Sequence, residues 1–367
     1  MLNPAHLVAR MGDFGFGPFV GVPCSYLGGV IAAAEDSPNA DYLVANNEGE
    51  AVAVAAGLRL AGASPAVIMQ NSGLGNAVNP LTSLVQTMAV PMLLLITWRG
   101  QPGRTDEPQH TLMGAITRDL LDAMSIRSEV LPDDRAGAEA LLATASRHLA
   151  QRRSPFAVLV PKGTVGPYER AEPGAAAAGD PTRAEVIELI TRAAPADAAV
   201  IATTGKTARE LEAMCDRAGN LYVVGSMGCA SSVGLGVALR SPARRVIVID
   251  GDGAALMRLE AMATIGRLRP PNLGHVVLDN AAYESTGGQA TGSPHIDFPA
   301  LARSCGYPRV VSAASRAEIA ECLRTVCRGT ATSFGHIAIR SGSDPGLGRP
   351  TLPPPASAAR FQEFVTG

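Results

Sequence analysis

Short apolar runs alternate with helical patterns from one end of this 367-residue chain to the other. Phe19–Val22, Val67–Met69, Met92–Ile96 and Ala157–Val160 read as buried strands in the first half. Ala199–Ala202, Leu221–Val224, Val246–Ile249, His275–Leu278 and His336–Ile339 read so in the second. Each is bounded by Gly, Pro or polar turn residues. Between them, Glu48–Ala61, Ala136–Gln151, Arg183–Arg192 and Arg316–Cys327 carry helical patterns. Strands apolar on both faces and joined through helices require parallel sheets covered on both sides. The expected class is α/β, built from doubly wound parallel-sheet domains.

A chain of this length suits two domains of roughly 150 to 180 residues. The stretch Tyr168–Thr182, YERAEPGAAAAGDPT, has no strand pattern and reads as a linker between residues 1–167 and 183–345. Residues 346–367 form a tail, in which PTLPPP is expected to run extended and RFQEFV to end as a short docked helix. The two halves show no visible sequence identity, so a repeat is not inferred.

Hydrophobic residues make up 47% of the chain and aromatic residues only 4%, so the cores must be aliphatic. A net charge of −2 without a basic stripe argues against nucleic acid as a partner. The most apolar run, Val90–Trp98, is too short to span a bilayer, so no membrane partner is expected. The six cysteines form no C-x-x-C pair and no zinc spacing. Without a secretory signal, they read as reduced, mostly buried thiols of a cytoplasmic protein.

One strand ends in chemistry. VIVID runs straight into Gly251-Asp252-Gly253, where a helix is expected to follow. Glycines let backbone amides approach a ligand, and the start of a helix favours anions. Asp252 then stands at the carboxyl end of a parallel strand, where open α/β sheets bind ligands. Asn280 comes 28 residues later, after the next strand, HVVLDN. A carboxylate, an amide oxygen and a nearby carbonyl are hard oxygen donors that suit Mg²⁺. GDG alone is an ordinary strand-to-helix turn; the later Asn makes it specific.

With these residues the chain resembles the thiamine diphosphate enzyme superfamily, whose signature is GDG followed at a set distance by Asn-Asn. Here the first Asn is replaced, giving Asp279-Asn280; the second, the ligand position, is retained. The resemblance implies thiamine diphosphate and Mg²⁺ as cofactors, with Asp252, Asn280 and the Ala282 carbonyl on the metal. It implies a pyrimidine-binding domain followed by a diphosphate-binding domain, with no middle domain between them. Thr203, Thr204 and Gly205 of TTGKT resemble the loop that receives the diphosphate. Gly251, Gly253, Ala254 and Tyr283 flank the metal ligands. In VVGSMGCASS, Gly225, Ser226 and Met227 resemble the segment that cups the pyrimidine, with Met227 as the apolar wedge under the bent cofactor; its bland alternative is core filler.

Thiamine chemistry also needs a carboxylate on the aminopyrimidine ring. NNEGEAVAVAAGLRLAG resembles the helix that carries it, which puts the activating carboxylate at Glu48, with Glu50 as fallback. Either could equally be a Glu favoured at a helix start. Gly73, in NSGLGN, falls in another family-like stretch that would lie against the cofactor. The resemblance further implies a homodimer or larger, with the active site at the subunit interface.

The missing middle domain points to the compact branch, the phosphonopyruvate and sulfopyruvate decarboxylase family. GVPCS, NSGLGNAVNPLTSL, WRGQPGRTDEPQH, TTGKTARE, GSMGCASS and YESTGGQ carry that resemblance across nearly the whole chain. It implies decarboxylation of an anionic 2-oxo acid to an aldehyde and CO₂, as in phosphonate biosynthesis, and DEPQH favours the phosphonate substrate. Such a group needs cationic or hydroxyl donors. Arg99, Arg104, Gln109 and His110 in one loop are the main candidates, with Ser25, Lys206, Ser285 and Thr286 contributing; His110 is also a candidate for proton transfer. Sulfopyruvate decarboxylation, acyloin-forming ligation and a non-catalytic thiamine-fold binding protein are the alternatives.

Overall fold

A computed structural model describes residues 1–38, 40–170, 181–344 and 346–367. The chain separates into two compact units, Met1–Pro173 and Gly174–Gly367. Most of the stretch read as a linker, residues 171–180, lies outside the described residues.

The first unit contains one six-stranded sheet. Its strands are β1 (Phe19–Gly21), β2 (Tyr42–Val44), β3 (Ala66–Gln70), β4 (Leu93–Thr97), β5 (Arg127–Val130) and β6 (Phe156–Val160), in the order β2-β1-β3-β4-β6-β5. All neighbours are parallel. The second unit contains β7 (Ala199–Ala202), β8 (Asn220–Tyr222), β9 (Val246–Gly251) and β10 (Leu273–Asp279). A small hairpin follows, β11 (Ala282–Tyr283) with β12 (Gln289–Ala290), and then β13 (Arg309–Ala313) and β14 (Ser333–Ala338). Its main sheet is also all parallel, ordered β13-β14-β10-β9-β7-β8. Counted within each unit, both sheets have the order 2-1-3-4-6-5, so the repeat that is invisible in sequence exists as topology.

Side-chain alternation in the central strands builds two cores per unit. Ile68, Leu93, Leu95, Phe156 and Val158 face one layer of helices, while Val67, Met69, Leu94, Ile96 and Leu159 face the other. Val200, Ile247, Ile249 and Val276 are separated in the same way from Ile201, Val246, Val248 and Val277. Removing a large buried side chain such as Phe156 would cost about 3–5 kcal/mol. The helices keep close to their expected bounds because their ends are capped. Asn47 accepts from Gly49 N at the start of Glu48–Leu60, and Thr182 with Glu185 closes a capping box on Arg183–Ala193.

Besides the two short hairpin strands, the apolar pattern missed three strands of the main sheets, and all three are edges. β2, β5 and β13 are largely half-buried or exposed; β2 is only three residues long, and Arg127, Ser128, Glu129 and Arg309 interrupt the apolar pattern of the other two. Polar edges also discourage pairing with other chains. The strand expected at Leu221–Val224 ends at Tyr222, because the chain turns through Gly225 and Ser226 at positive φ of 68° and 41°. The expected extended PTLPPP is shortened: a helix runs Pro354–Thr366 and buries Phe361. Proline is tolerated in a first helical turn, where its missing N–H has no partner to lose. All six cysteines are free, but only Cys24, Cys322 and Cys327 are buried; the expectation of mostly buried thiols holds for half of them.

In a 2-1-3-4-6-5 sheet the chain reverses its direction of growth between strands 1 and 3, and open α/β sheets bind ligands at the carboxyl ends beside such a switch. In the first unit the loops there begin at Val22, Ala45, Asn71 and Trp98. In the second they begin at Thr203, Val223, Asp252 and Asn280. The named site residues lie on these loops or on the segments that continue from them.

Candidate active site

In the second unit three adjacent strands deliver the metal and diphosphate residues. Ala202 pairs with Ile249 and Gly251 with Leu278, so Thr203, Asp252 and Asn280 leave the same sheet edge side by side. Asp252 is buried and accepts from Thr291 Oγ1 at 2.6 Å. Burial, reinforced by the charge of Asp279, pushes its carboxyl up to about 7. Asn280, also buried, accepts from Ala282 N at 3.1 Å through Oδ1 and donates to Glu284 Oε2 at 3.1 Å through Nδ2. Ala281 between them adopts a positive φ of 56°. Asp279, in place of the family's first Asn, accepts from Ser293 Oγ at 2.6 Å and lies 2.9 Å from His336 Nε2. It braces the loop rather than adding a free carboxylate.

The surrounding residues leave room for a ligand. A Cβ on Gly253 would stand 2.5 Å from the ring of buried Tyr283, so only glycine lets that ring lie against the turn. A Cβ on Gly251 would meet nothing within 4 Å. Thr203 Oγ1 is buried without a hydrogen-bond partner. The helix Lys206–Cys215 starts from Gly205 with no side-chain cap, leaving amide donors for an anion. Ser285 Oγ lies 3.1 Å from where a Gly205 Cβ would stand. Ala254 is buried, Thr204 and Lys206 are half-buried, and Thr286 donates to Tyr283 O at 3.1 Å. Met227 is half-buried and belongs to neither core, which disfavours the filler reading. A buried carboxylate, an amide oxygen and an unpartnered hydroxyl beside open backbone suit a hard cation and a diphosphate.

The first unit separates the two glutamates. Glu50 is exposed and accepts from Asn46 N at 2.9 Å, an ordinary helix-start role. Glu48 is buried, and Asn76 Nδ2 donates to its Oε2 at 2.8 Å. A Cβ on Gly73 would stand 2.1 Å from Glu48 Oε1, so that glycine makes space for the carboxylate. Sequence reasoning missed Asn76, although it lies in the quoted NSGLGN.

The substrate loop is more tightly tied than its composition suggested. Arg99 donates through Nε and Nη2 to the two Asp106 oxygens, at 2.7 and 2.5 Å, and its guanidinium lies 4.9 Å from the Tyr26 ring centre. Burial would raise Asp106, but Arg99 and the Gly100 amide outweigh it and hold the carboxyl far below its usual range. Asn71 is fully buried and joins this loop to the β3 end, donating to Arg99 O at 2.8 Å. His110 is buried with Nδ1 unpartnered, and burial, aided by Arg99, lowers it to about 4. It is neutral near pH 7. Arg104 is exposed and donates to Lys162 O at 2.8 Å; Gln109 and Ser25 are exposed. Asp106 stood in the quoted DEPQH but was not singled out. Its signal was an acid seven residues after an arginine in one loop.

Two sheets of identical order, one carrying the GDG turn and its distant Asn, the other a buried glutamate at a helix start, define a two-domain thiamine diphosphate enzyme. The family model described as "Thiamine pyrophosphate enzyme, N-terminal TPP binding domain" matches residues 4–125, and "Thiamine pyrophosphate enzyme, C-terminal TPP binding domain" matches 207–337. The chain belongs to the thiamine pyrophosphate enzyme family. It is 44% identical over 380 residues to phosphonopyruvate decarboxylase of Streptomyces viridochromogenes, covering all of this chain and 96% of that one. Identity to phosphonopyruvate decarboxylase of Streptomyces hygroscopicus is 41%, covering 100% and 94%. Sulfopyruvate decarboxylase of Methanosarcina acetivorans is 31% identical over 392 residues, covering 100% and 98%.

Proposed function

We propose that this chain is a thiamine diphosphate- and Mg²⁺-dependent decarboxylase that converts 3-phosphonopyruvate to phosphonoacetaldehyde and CO₂ in phosphonate biosynthesis. The full-length 44% identity to a phosphonopyruvate decarboxylase carries the reading; 31% to a sulfopyruvate decarboxylase stands behind it. When bound, thiamine diphosphate supplies the electron sink for loss of CO₂. The chain's own residues bind and position it. In a diphosphate-binding domain, residues 183–345, Asp252, Asn280 and the Ala282 carbonyl hold Mg²⁺, and Thr203–Gly205 receives the diphosphate. Gly225 to Met227 cup the pyrimidine. In a pyrimidine-binding domain, residues 1–167, Glu48 hydrogen-bonds the aminopyrimidine ring.

For the phosphonate, the hydrogen bonding redistributes the roles. Arg99 already has its full charge partner in Asp106, so it orders the loop. Arg104 and Lys206 are the cations left for an anionic substrate, with Ser25, Gln109, Ser285 and Thr286 as polar donors. Neutral His110 donates or accepts one hydrogen bond and adds no charge. A homodimer or larger, with its active site at the subunit interface, is supported by exposed apolar side chains on helices of both units, among them Val54, Leu112 and Ile116, and Val233 and Leu239. Among the described residues no helix is long and apolar enough to cross a membrane.

Parallel turnover assays with phosphonopyruvate and sulfopyruvate, each with Mg²⁺ and thiamine diphosphate, test the reading. We expect kcat/KM to favour the phosphonate. A preference for the sulfonate would make the chain a sulfopyruvate decarboxylase, and carbon–carbon product with added aldehyde would make it a ligase.

A further inference from the structure

Asn280 faces a problem that a carboxylate ligand does not. The two ends of its amide have nearly the same shape, but only the oxygen can bind a cation; the NH₂ end would repel one. Something must fix which end faces the metal. At one end the Ala282 amide donates to Oδ1 at 3.1 Å; at the other, Glu284 stands against Nδ2, with Oε2 at 3.1 Å. An ionised carboxylate only accepts hydrogen bonds, so it selects the NH₂ and turns the oxygen away.

Glu284 is in turn held from the core. Arg183 Nη1 donates to Glu284 Oε2 at 2.8 Å, while its Nε and Nη2 donate to Glu210 Oε2 and Oε1 at 2.8 and 3.0 Å. Arg183 and Glu210 are buried. Glu284 thus stands in an ion pair with Arg183, at 2.8 Å. Arg183 opens the helix fixed by the Thr182 capping box, and Glu210 lies on the helix that starts at the diphosphate loop.

We infer that Arg183 and Glu284 are positioning residues that set the orientation of the Asn280 amide and thereby make its oxygen available to Mg²⁺. The inference rests on the metal site proposed above. It gives a reason for a buried arginine shared by two carboxylates, one of which reaches the edge of the site.

The test is a pair of substitutions on the full chain, read by calorimetric titration of Mg²⁺ in the presence of thiamine diphosphate. Arg183 Nη1 and Asn280 Nδ2 donate to the same Glu284 oxygen, Oε2, so a glutamine whose one oxygen takes that place keeps both bonds, while an alanine keeps neither. In Glu284→Ala, Mg²⁺ affinity should fall roughly 10-fold or more, within the 10- to 100-fold that residues supporting a metal ligand command. Glu284→Gln should retain most of the parent's affinity. Asn280→Asp should weaken Mg²⁺ binding, although it adds a negative charge, because two carboxylates would then face each other. Apoprotein thermal unfolding checks that each variant folds. Unchanged affinity in Glu284→Ala, or an equal loss in Glu284→Gln, would overturn the inference. Should Glu284→Ala not fold, tighter Mg²⁺ binding by Asn280→Asp would overturn it, and weaker binding would uphold it. Asp252→Ala separates the two levels: if it leaves Mg²⁺-dependent binding intact, the metal site itself fails; if it abolishes binding while Glu284→Ala binds as the parent does, only the role of Arg183 and Glu284 fails.

Discussion

The two sheets share one strand order and put their polar residues at the same edge, yet the edges are electrostatic opposites. In the second unit Asp252 is buried beside another acid and pushed up to about 7, a carboxylate that a cation would relieve. In the first unit charges are already settled. Arg99 is paired with Asp106, His110 is held neutral, and Glu48 has an amide donor in Asn76. Topology decides where a ligand can sit; the loop residues decide whether the edge asks for a metal or offers a finished hydrogen-bonding surface.

The sharpest way to break this comparison is Asp252→Ala. If the second edge is built around a cation, Mg²⁺-dependent thiamine diphosphate affinity should fall by more than about 100-fold, since even residues that merely support a metal ligand are worth roughly 10- to 100-fold. Unaltered affinity by calorimetry would remove the contrast altogether. Glu48→Gln probes the other edge. There the cofactor should still bind, while kcat falls about 10²- to 10⁴-fold, the range for a positioned proton-transfer group. Near-normal turnover would move the role to Glu50 or end the assignment.

Much of this contrast was legible in sequence, and the part that was not has a physical reason. Central strands such as Met92–Ile96 declare themselves because both faces are buried; edge strands such as Arg127–Val130 do not, because one side meets water. Asp252 and Asn280 were readable because a turn and a strand fix their spacing along the chain. Resemblance preferred Glu48 to Glu50, but their surroundings differ only on folding, through burial and through Asn76, a contact across 28 residues. Arg183 lies in no motif, and Glu210, although it ends TTGKTARE, gave no sign of its partner, since their connection to Glu284 forms only on folding. Arg99 was read as a cation for the phosphonate; its pairing with Asp106 depends on how that loop folds back.

Gly73→Ala sharpens the comparison at close range. The added methyl would stand 2.1 Å from Glu48 Oε1, so the carboxylate must move while its charge and chemistry are retained. A displacement of about 1 Å in a catalytic group can cost on the order of 10²-fold. Turnover should fall by that order with cofactor affinity changed much less. Full activity would mean that the carboxylate has slack the packing does not suggest.

The smallest effect expected concerns His110. Burial, aided by the Arg99 charge, lowers its pKa to about 4 in the folded chain, against roughly 6.5 for an unfolded histidine. As pH falls from about 6.5 toward 4, the unfolded chain therefore takes up a proton that the folded chain refuses. Proton uptake by the unfolded state favours unfolding, so this group's contribution to stability is present above that window and is lost on descending through it. His110→Asn has no such proton to bind. Its unfolding temperature should fall less steeply than the parent's between pH 6.5 and 4, by roughly 2–4 °C for each kcal/mol of linkage in a protein of this size. The measurement is scanning calorimetry of both proteins across that range. Parallel curves would show that His110 is charged or solvated in the fold, and the first edge would then carry an extra positive charge for its anionic substrate.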